Sequence, residues 1–435
     1  MKSVSVLPKI VLFCLSVSFL SLRAASETSS ARPAFLSAAA SPLSPSPSPS
    51  SSPSFSTSLP LSSSPPPSMS RIPGDASASV RHFVFLVHGW KGTHREMNYV
   101  AMALRREFGY RRLGPENFLV HSATCNDGLT SDGVAAGGRR LAAEVLSVLR
   151  THLDVNEGQA SSSASSSPSS PVFRGVATVS LVGNSLGGLY SRYACAELCR
   201  RLKEDLPINQ TALHFNAFVT TATPHLGSYR HSYVPLPKTV EQIIGKYVVG
   251  GRTGADLFRA EAPHQRDGDV PWVSEALEAP DVVYAMGTRP EFLDSLGRFR
   301  RRTAYVGAYM TDLMVATETA GFLHRESTVE HVLREPRTRD PDDARILVAE
   351  AETAARPFDQ SDVPHHLDGE RRERARIHRM SNRLDALGWR KVFVDTRGFL
   401  PASPKLLPWT NSNKAAALVP GRAVTSAELI PLVTG

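Results

Sequence analysis

The sequence predicts an α/β fold, a mostly parallel sheet with helices on both faces, and three observations predict it. From residue 81 onward, apolar β-branched runs alternate with longer amphipathic ones, the pattern of a parallel sheet. The runs Phe83-Val84-Phe85-Leu86-Val87 and Val176 to Val182 are continuously apolar, as in strands covered on both faces. The second run leads through Gly183-Asn184-Ser185-Leu186-Gly187-Gly188 straight into a stretch of helical composition, Leu189 to Leu198. Gly-x-Ser-x-Gly between a buried strand and a helix is the signature of a nucleophile elbow. Such a turn strains the serine backbone and exposes its hydroxyl, and the flanking glycines make room for the neighbouring strand and helix. A turn whose serine only caps the helix is the plainer alternative, and the order strand, motif, helix favours the elbow.

The remaining elements follow in chain order. Residues 93–108 carry Met97, Val100, Ala101, Leu104 and Phe108 on one helical face. Phe118-Leu119-Val120 reads as a strand, and Leu141, Val145, Val148 and Leu149 mark a helix. A low-complexity loop covers 156–171, densest from Ser161 to Pro171. Phe215 to Thr221 is the strand after the elbow helix. Residues 228–300 show no sheet element and read as a cap-like insertion, with Val240, Ile243, Ile244, Tyr247 and Val248 on one helix face. Thr303 to Gly307 is a further strand, 340–370 a polar, loop-rich stretch, Arg371 to Leu387 a helix closed by Gly388, and Trp389 to Asp395 the last strand.

The first eighty residues differ in kind. Residues 1–25 combine two lysines with an apolar run, Ile10 to Leu22, which reads as a signal peptide or an uncleaved signal anchor. Residues 26–80 are rich in Ser, Pro and Ala, with too little apolar surface to offset ordering entropy, and read as disordered. This places the protein in the secretory pathway, secreted or endomembrane-associated; a bipartite organelle signal is the alternative. Residues 81–435 form the folded domain. The net charge of +8 is spread over scattered arginines with no nucleic-acid motif around them, and it leaves room for peripheral contact with anionic lipid. Cys125, Cys195 and Cys199 form no disulfide framework and read as small buried apolar residues.

An elbow serine needs a base, an orienting acid and an oxyanion hole. The hole takes the N–H after the nucleophile, here Leu186, and another from the loop after an early strand, for which His88-Gly89-Trp90-Lys91-Gly92 is placed. Trp90 N–H is the expected donor, with His88 structural. Asp312 lies a few residues past the strand at 303–307, where the acid of such a triad sits, although by position alone it also reads as an ordinary turn residue. His225, in Thr223-Pro224-His225-Leu226-Gly227, precedes Asp312 and so has the wrong chain order for the base; it reads as a site-wall or structural residue.

Together these segments resemble the serine esterase family of lipase-like α/β-hydrolases. The resemblance rests on His88 to Gly92, on Asn126 through Thr130-Ser131-Asp132-Gly133 to Arg140-Leu141-Ala142, on the elbow, and on Ala222 to Gly227. Tyr305 through Asp312-Leu313-Met314-Val315 and Leu387 to Val392 extend it. It implies an α/β-hydrolase fold with Ser185 as nucleophile and Asp312 as acid, acting on carboxylic esters, acyl lipids among them, without metal or organic cofactor. The family usually has His where this chain has Asn184. No histidine occurs from Trp389 to Gly435, where the base is expected, so it is expected beyond Gly435, with the chain lacking its C-terminal end. His324, His331, His365, His366 and His378 lie before the last strand and read as surface or helix residues. The absent base also leaves a second reading, a non-catalytic homologue that binds lipid or a protein partner.

Overall fold

A computed structural model describes residues 79–153, 175–204, 211–229, 250–258, 281–308, 315–324, 347–357, 367 and 369–394. The signal segment, the Ser/Pro-rich stretch up to residue 78, the loop at 156–171 and the stripe from Val240 to Val248 lie outside the described residues.

The chain opens on strand β1, Ser79–Val87. A 3₁₀ turn, His94–Met97, runs into helix α1, Asn98–Leu104, which continues as a π-helical stretch, Arg105–Leu113, and stops at Gly114. Then come β2, Phe118–Ser122, and α2, Val134–Leu153. They are followed by β3, Gly175–Asn184, α3, Leu186–Glu204, and β4, Thr211–Thr221. Within the 228–300 stretch lie α4, Gly251–Phe258, α5, Val282–Thr288, and α6, Pro290–Gly297. The rest is β5, Arg301–Gly307, α7, Thr317–Ala320, β6, Leu347–Glu352, α8, Gly369–Asp385, and β7, Arg390–Val394.

The strands form one seven-stranded sheet in the order β2-β1-β3-β4-β5-β7-β6. All neighbouring pairs are parallel except β6 with β7. Strand β6 was missed in the polar stretch at 340–370. It lies at the sheet edge, where Glu350 is exposed and pairs with Arg390, the kind of charged edge that blocks further strand pairing.

Side chains alternate between two buried layers with the period of two that a pleated strand imposes. Phe83, Phe85 and Val87 of β1 join one layer with Leu141, Val145 and Leu149 of α2 and Leu189 and Tyr193 of α3. Val84 and Leu86 join the other with Val100, Ala101 and Leu104 of α1 and Phe108 beyond it. Helices therefore cover both faces, as the unbroken apolar strands require. Helix α3 is buried nearly all round, which places it inside the molecule rather than on it. The helices described within 228–300 contribute Leu257, Val283, Met286, Phe292 and Leu296 to the first layer. Cys195 and Cys199 are buried there as free thiols.

Phe218 of β4 is fully buried, edge-on to Phe299 at 5.4 Å and to Trp389 at 6.0 Å between ring centroids. Phe218→Ala should destabilise the fold by about 3–5 kcal/mol, read as a lower urea midpoint at unchanged m-value. A loss below about 1 kcal/mol would contradict this packing.

Candidate active site

Chain order reverses between β1 and β3: β2 lies on one side of β1, and β3 with its successors on the other. In an open parallel sheet this switch point leaves a crevice beyond the carboxyl ends of the strands, where ligands bind. The loops that enter this crevice are those after β1 and β3, beginning at His88 and Ser185.

Ser185 has φ +51°, a left-handed backbone that a non-glycine residue adopts only when its surroundings enforce it. The enforcement is visible. Ser185 N–H donates to Thr221 O at 2.8 Å, and Gly188 N–H returns to Ser185 O at 3.0 Å. A Cβ on Gly183 would stand 2.5 Å from Gly188 Cα, and one on Gly187 2.3 Å from Val87 O. Both glycines are thus fixed by close approach, Gly183 to the helix and Gly187 to the neighbouring strand. Asn184 is buried and accepts a hydrogen bond from Thr221 Oγ1 at 3.0 Å, so it braces the turn from inside.

The loop after β1 lies directly against the serine. A Cβ on Gly89 would be 3.0 Å from Ser185 Cβ and 3.5 Å from Ser185 Oγ. Trp90, next in the chain, is partly buried against the core, with Lys91 Nζ 4.5 Å from its ring centroid. Leu186 opens α3, so its N–H has no acceptor within the helix. The structure therefore brings together Ser185, the loop carrying Trp90, and the first N–H of α3. Asp312 lies outside the described residues.

A polar cluster backs the loop. Asp127 accepts from His94 N–H at 2.9 Å and sits 2.5 Å from His94 Nδ1. Its Oδ1 is also 3.0 Å from His88 Nε2, close enough for an ion pair but without hydrogen-bond alignment. Burial lowers the His88 pKa against the opposing pull of Gly89 O and Asp127. Glu96 is pushed up to about 7, first by burial and then by the Asp127 charge. Glu144 of α2 accepts from the N–H groups of Thr124 and Cys125 at 3.0 Å and lies 2.8 Å from His121 Nε2. Burial alone would raise its pKa, but these hydrogen bonds prevail and hold it at about 2. Sequence reasoning assigned no role to Asp127 or Glu144. The one signal was that Asp127 falls inside the Asn126–Gly133 run that carried the family resemblance.

His225 is fully buried, as a structural residue would be. Its Nε2 lies 3.0 Å from Thr220 Oγ1, and its ring packs edge-on against Phe322 and Trp389. Burial, then the nearby charges of Arg192 and Lys391, hold its pKa well below the ordinary histidine range. Among the described residues, no group of His, Cys, Asp and Glu is arranged to hold a metal ion.

A family model described as "Putative serine esterase (DUF676)" matches residues 77–323. The match takes in the β1 loop, the Asn126–Gly133 run, the elbow and Asp312, and ends before Leu387 to Val392. No curated protein matches the chain. Among solved structures, the chain is similar to the lipase BlEst2 of Bacillus licheniformis in its propeptide form, at 12% identity and TM-score 0.29, over 54% of this chain and 38% of that one. It is similar to the phospholipase PlaB of Legionella pneumophila in complex with thio-NAD, at 12% identity and TM-score 0.28, over 53% and 38%. It is similar to the peroxisomal α/β-hydrolase Lpx1 of Saccharomyces cerevisiae, at 10% identity and TM-score 0.24, over 56% and 66%. The chain thus spans 38% of the length of the first two.

The Glu144 carboxyl gives a pH test. Its folded pKa of about 2 lies below the ordinary 4.5, so its stabilisation is whole above about pH 4.5 and is lost as pH falls toward 2. Glu144→Gln should cost about 1–3 kcal/mol at pH 7 and flatten the fall of the melting temperature through that window. A variant that tracks the wild-type acid slope would show that this carboxylate is not held as described.

Proposed function

The chain belongs to this serine esterase family, with the α/β-hydrolase fold, and from that premise we propose that it cleaves carboxylic esters through an acyl-enzyme formed on Ser185. One observation carries the reading: Ser185 is held at φ +51° at the switch point, with the backbone of Gly89 against its side chain. A serine that only capped a helix would gain nothing from this strain, whereas a nucleophile gains an exposed hydroxyl at the head of the crevice.

The chemistry then runs in two halves. Ser185 Oγ attacks the ester carbonyl as a histidine takes its proton, and the carbonyl oxygen becomes an oxyanion. Trp90 and Leu186 N–H groups receive that charge, each donor worth about 3 kcal/mol in the transition state. The histidine returns the proton to the departing alcohol. Water, activated by the same base, releases the acid and restores Ser185. Asp312 orients the base and stabilises its charged form. Among the described residues no histidine is hydrogen-bonded to Ser185, and none of them is assigned as the base. Acyl-lipid esters are the substrate class proposed first, following the family resemblance; short acyl esters serve as probes of the chemistry itself.

Ser185→Ala should reduce hydrolysis of short and long acyl esters by at least about 10³-fold and abolish labelling by a fluorophosphonate. Asp312→Asn should slow labelling while leaving it detectable. Hydrolysis that survives Ser185→Ala would remove the mechanism. Wild-type protein inert to both ester and fluorophosphonate would favour a non-catalytic member of the fold.

A further inference from the structure

We propose that Thr130 and Asp127 are positioning residues, which fix the backbone of the loop after β1 at the height above Ser185 that its donor role requires. The role rests on the esterase reading above; the clamp itself is a matter of geometry.

The loop has little of its own to hold it. Within it, Gly92 N–H bonds back to Gly89 O at 3.1 Å, and Lys91 sits at φ +53°, a strained value for a side-chain-bearing residue. Besides the packing of Trp90 against the core, the loop's outside hydrogen bonds among the described residues come from one segment. Lys91 N–H donates to Thr130 Oγ1 at 3.0 Å, immediately beside Trp90. Asp127 takes both His94 N–H and His94 Nδ1, and lies against His88 Nε2. Thr130 thus fixes the middle of the loop, while Asp127 touches the residue on each side of it.

That segment is itself anchored to the element that carries the nucleophile. Thr130 O accepts from Tyr190 Oη at 3.2 Å, and Tyr190 lies on α3 five residues past Ser185. The same carbonyl accepts from Thr253 Oγ1 of α4 at 2.7 Å, which uses both its lone pairs. Arg140 of α2 closes the segment on itself, bonding Asn126 Oδ1 at 2.8 Å, Leu129 O at 2.9 Å and Asp132 Oδ2 at 2.9 Å. A closed path therefore runs from Ser185 along α3 to Tyr190, through Thr130 to Lys91, and back along the chain to Trp90 and Gly89 against the serine. An oxyanion donor acts only where it meets the developing charge, at about 2.7–3.1 Å. A path of hydrogen bonds between loop and nucleophile helix is what sets such a distance.

The test uses the full chain with Thr130→Val, which keeps the shape and removes the acceptor, and Thr130→Ser, which keeps the acceptor. Asp127→Asn is a third variant. Hydrogen exchange of the peptide covering residues 89–92 should be faster in Thr130→Val than in wild type and near wild type in Thr130→Ser. With a soluble acyl ester, Thr130→Val should lower kcat by roughly 10- to 100-fold, part of the loss on deleting a donor, with KM within about twofold. Thr130→Ser should restore kcat, and Asp127→Asn should lower kcat with KM held. Equal exchange in all the proteins would overturn the clamp, as would a kcat loss that Thr130→Ser fails to rescue. If wild type turns over no ester, the esterase reading fails by itself, and exchange at residues 89–92 still decides whether the clamp exists.

Discussion

The contact between the start of α3 and the end of β1 governs the rest of the site. Gly187 lies so close to the Val87 and His88 carbonyls that any side chain there would need the strand to move. On the other side Gly183 meets Gly188 with equal closeness. A strand and a helix cannot approach in this way unless the residue between them turns in the left-handed region, and that residue is Ser185. The position of the Ser185 side chain against the β1 loop is therefore a consequence of backbone packing. The strain is supported by a buried sheet whose inner strands are covered on both faces.

Away from the crevice the same helix organises buried polar groups. Arg192, also on α3 and fully buried, donates to His225 O at 2.8 Å and so fastens the loop after β4 to the elbow helix. That loop is held from its far side by Thr319, whose hydroxyl donates to Gly227 O at 2.6 Å and accepts from Leu226 N–H at 3.1 Å. Lys391 is fixed beside the same region by Asp385 at 2.5 Å and lies 4.0 Å from the Phe322 ring centroid. Burial and the two nearby cations hold the His225 pKa well below the ordinary histidine range, and the ring packs edge-on against Phe322 and Trp389. The loops after β1 and β4 are thus both tied to α3, one through Thr130 and Tyr190 and one through Arg192.

Much of this was legible because it is written in short range. Strand runs, the helical stripe around Leu141 and Val145, and the elbow each occupy one window of sequence and have one period. The β1 loop was legible as Trp90's place because it directly follows a strand. Strand β6 was not, because an edge strand with glutamates at alternate positions lacks the apolar run used to recognise the others. The π-helical continuation of α1 was missed for a related reason: Phe108 keeps the apolar stripe, while the hydrogen-bond register changes beneath it. The links from Thr130 to Lys91, Tyr190 and Thr253 join residues 39, 60 and 123 apart, and no periodicity encodes such a contact.

The described histidines also bear on how the proposed chemistry is divided between scaffold and loops. His82 and His214 lie on the early residues of β1 and β4, at the end of the sheet away from the elbow, where His82 bonds Thr178 at 2.8 Å. His152 packs at the same end against Phe83. His88 and His94 are engaged by Asp127, His121 by Glu144, and His225 by Thr220. His324 lies 3.5 Å from Asp385 and edge-on to His378. None of these contacts reaches Ser185. The proposed oxyanion donors, in the β1 loop and the first turn of α3, adjoin the strand and helix that flank Ser185. Such a placement suits charge stabilisation, whose worth falls steeply with distance.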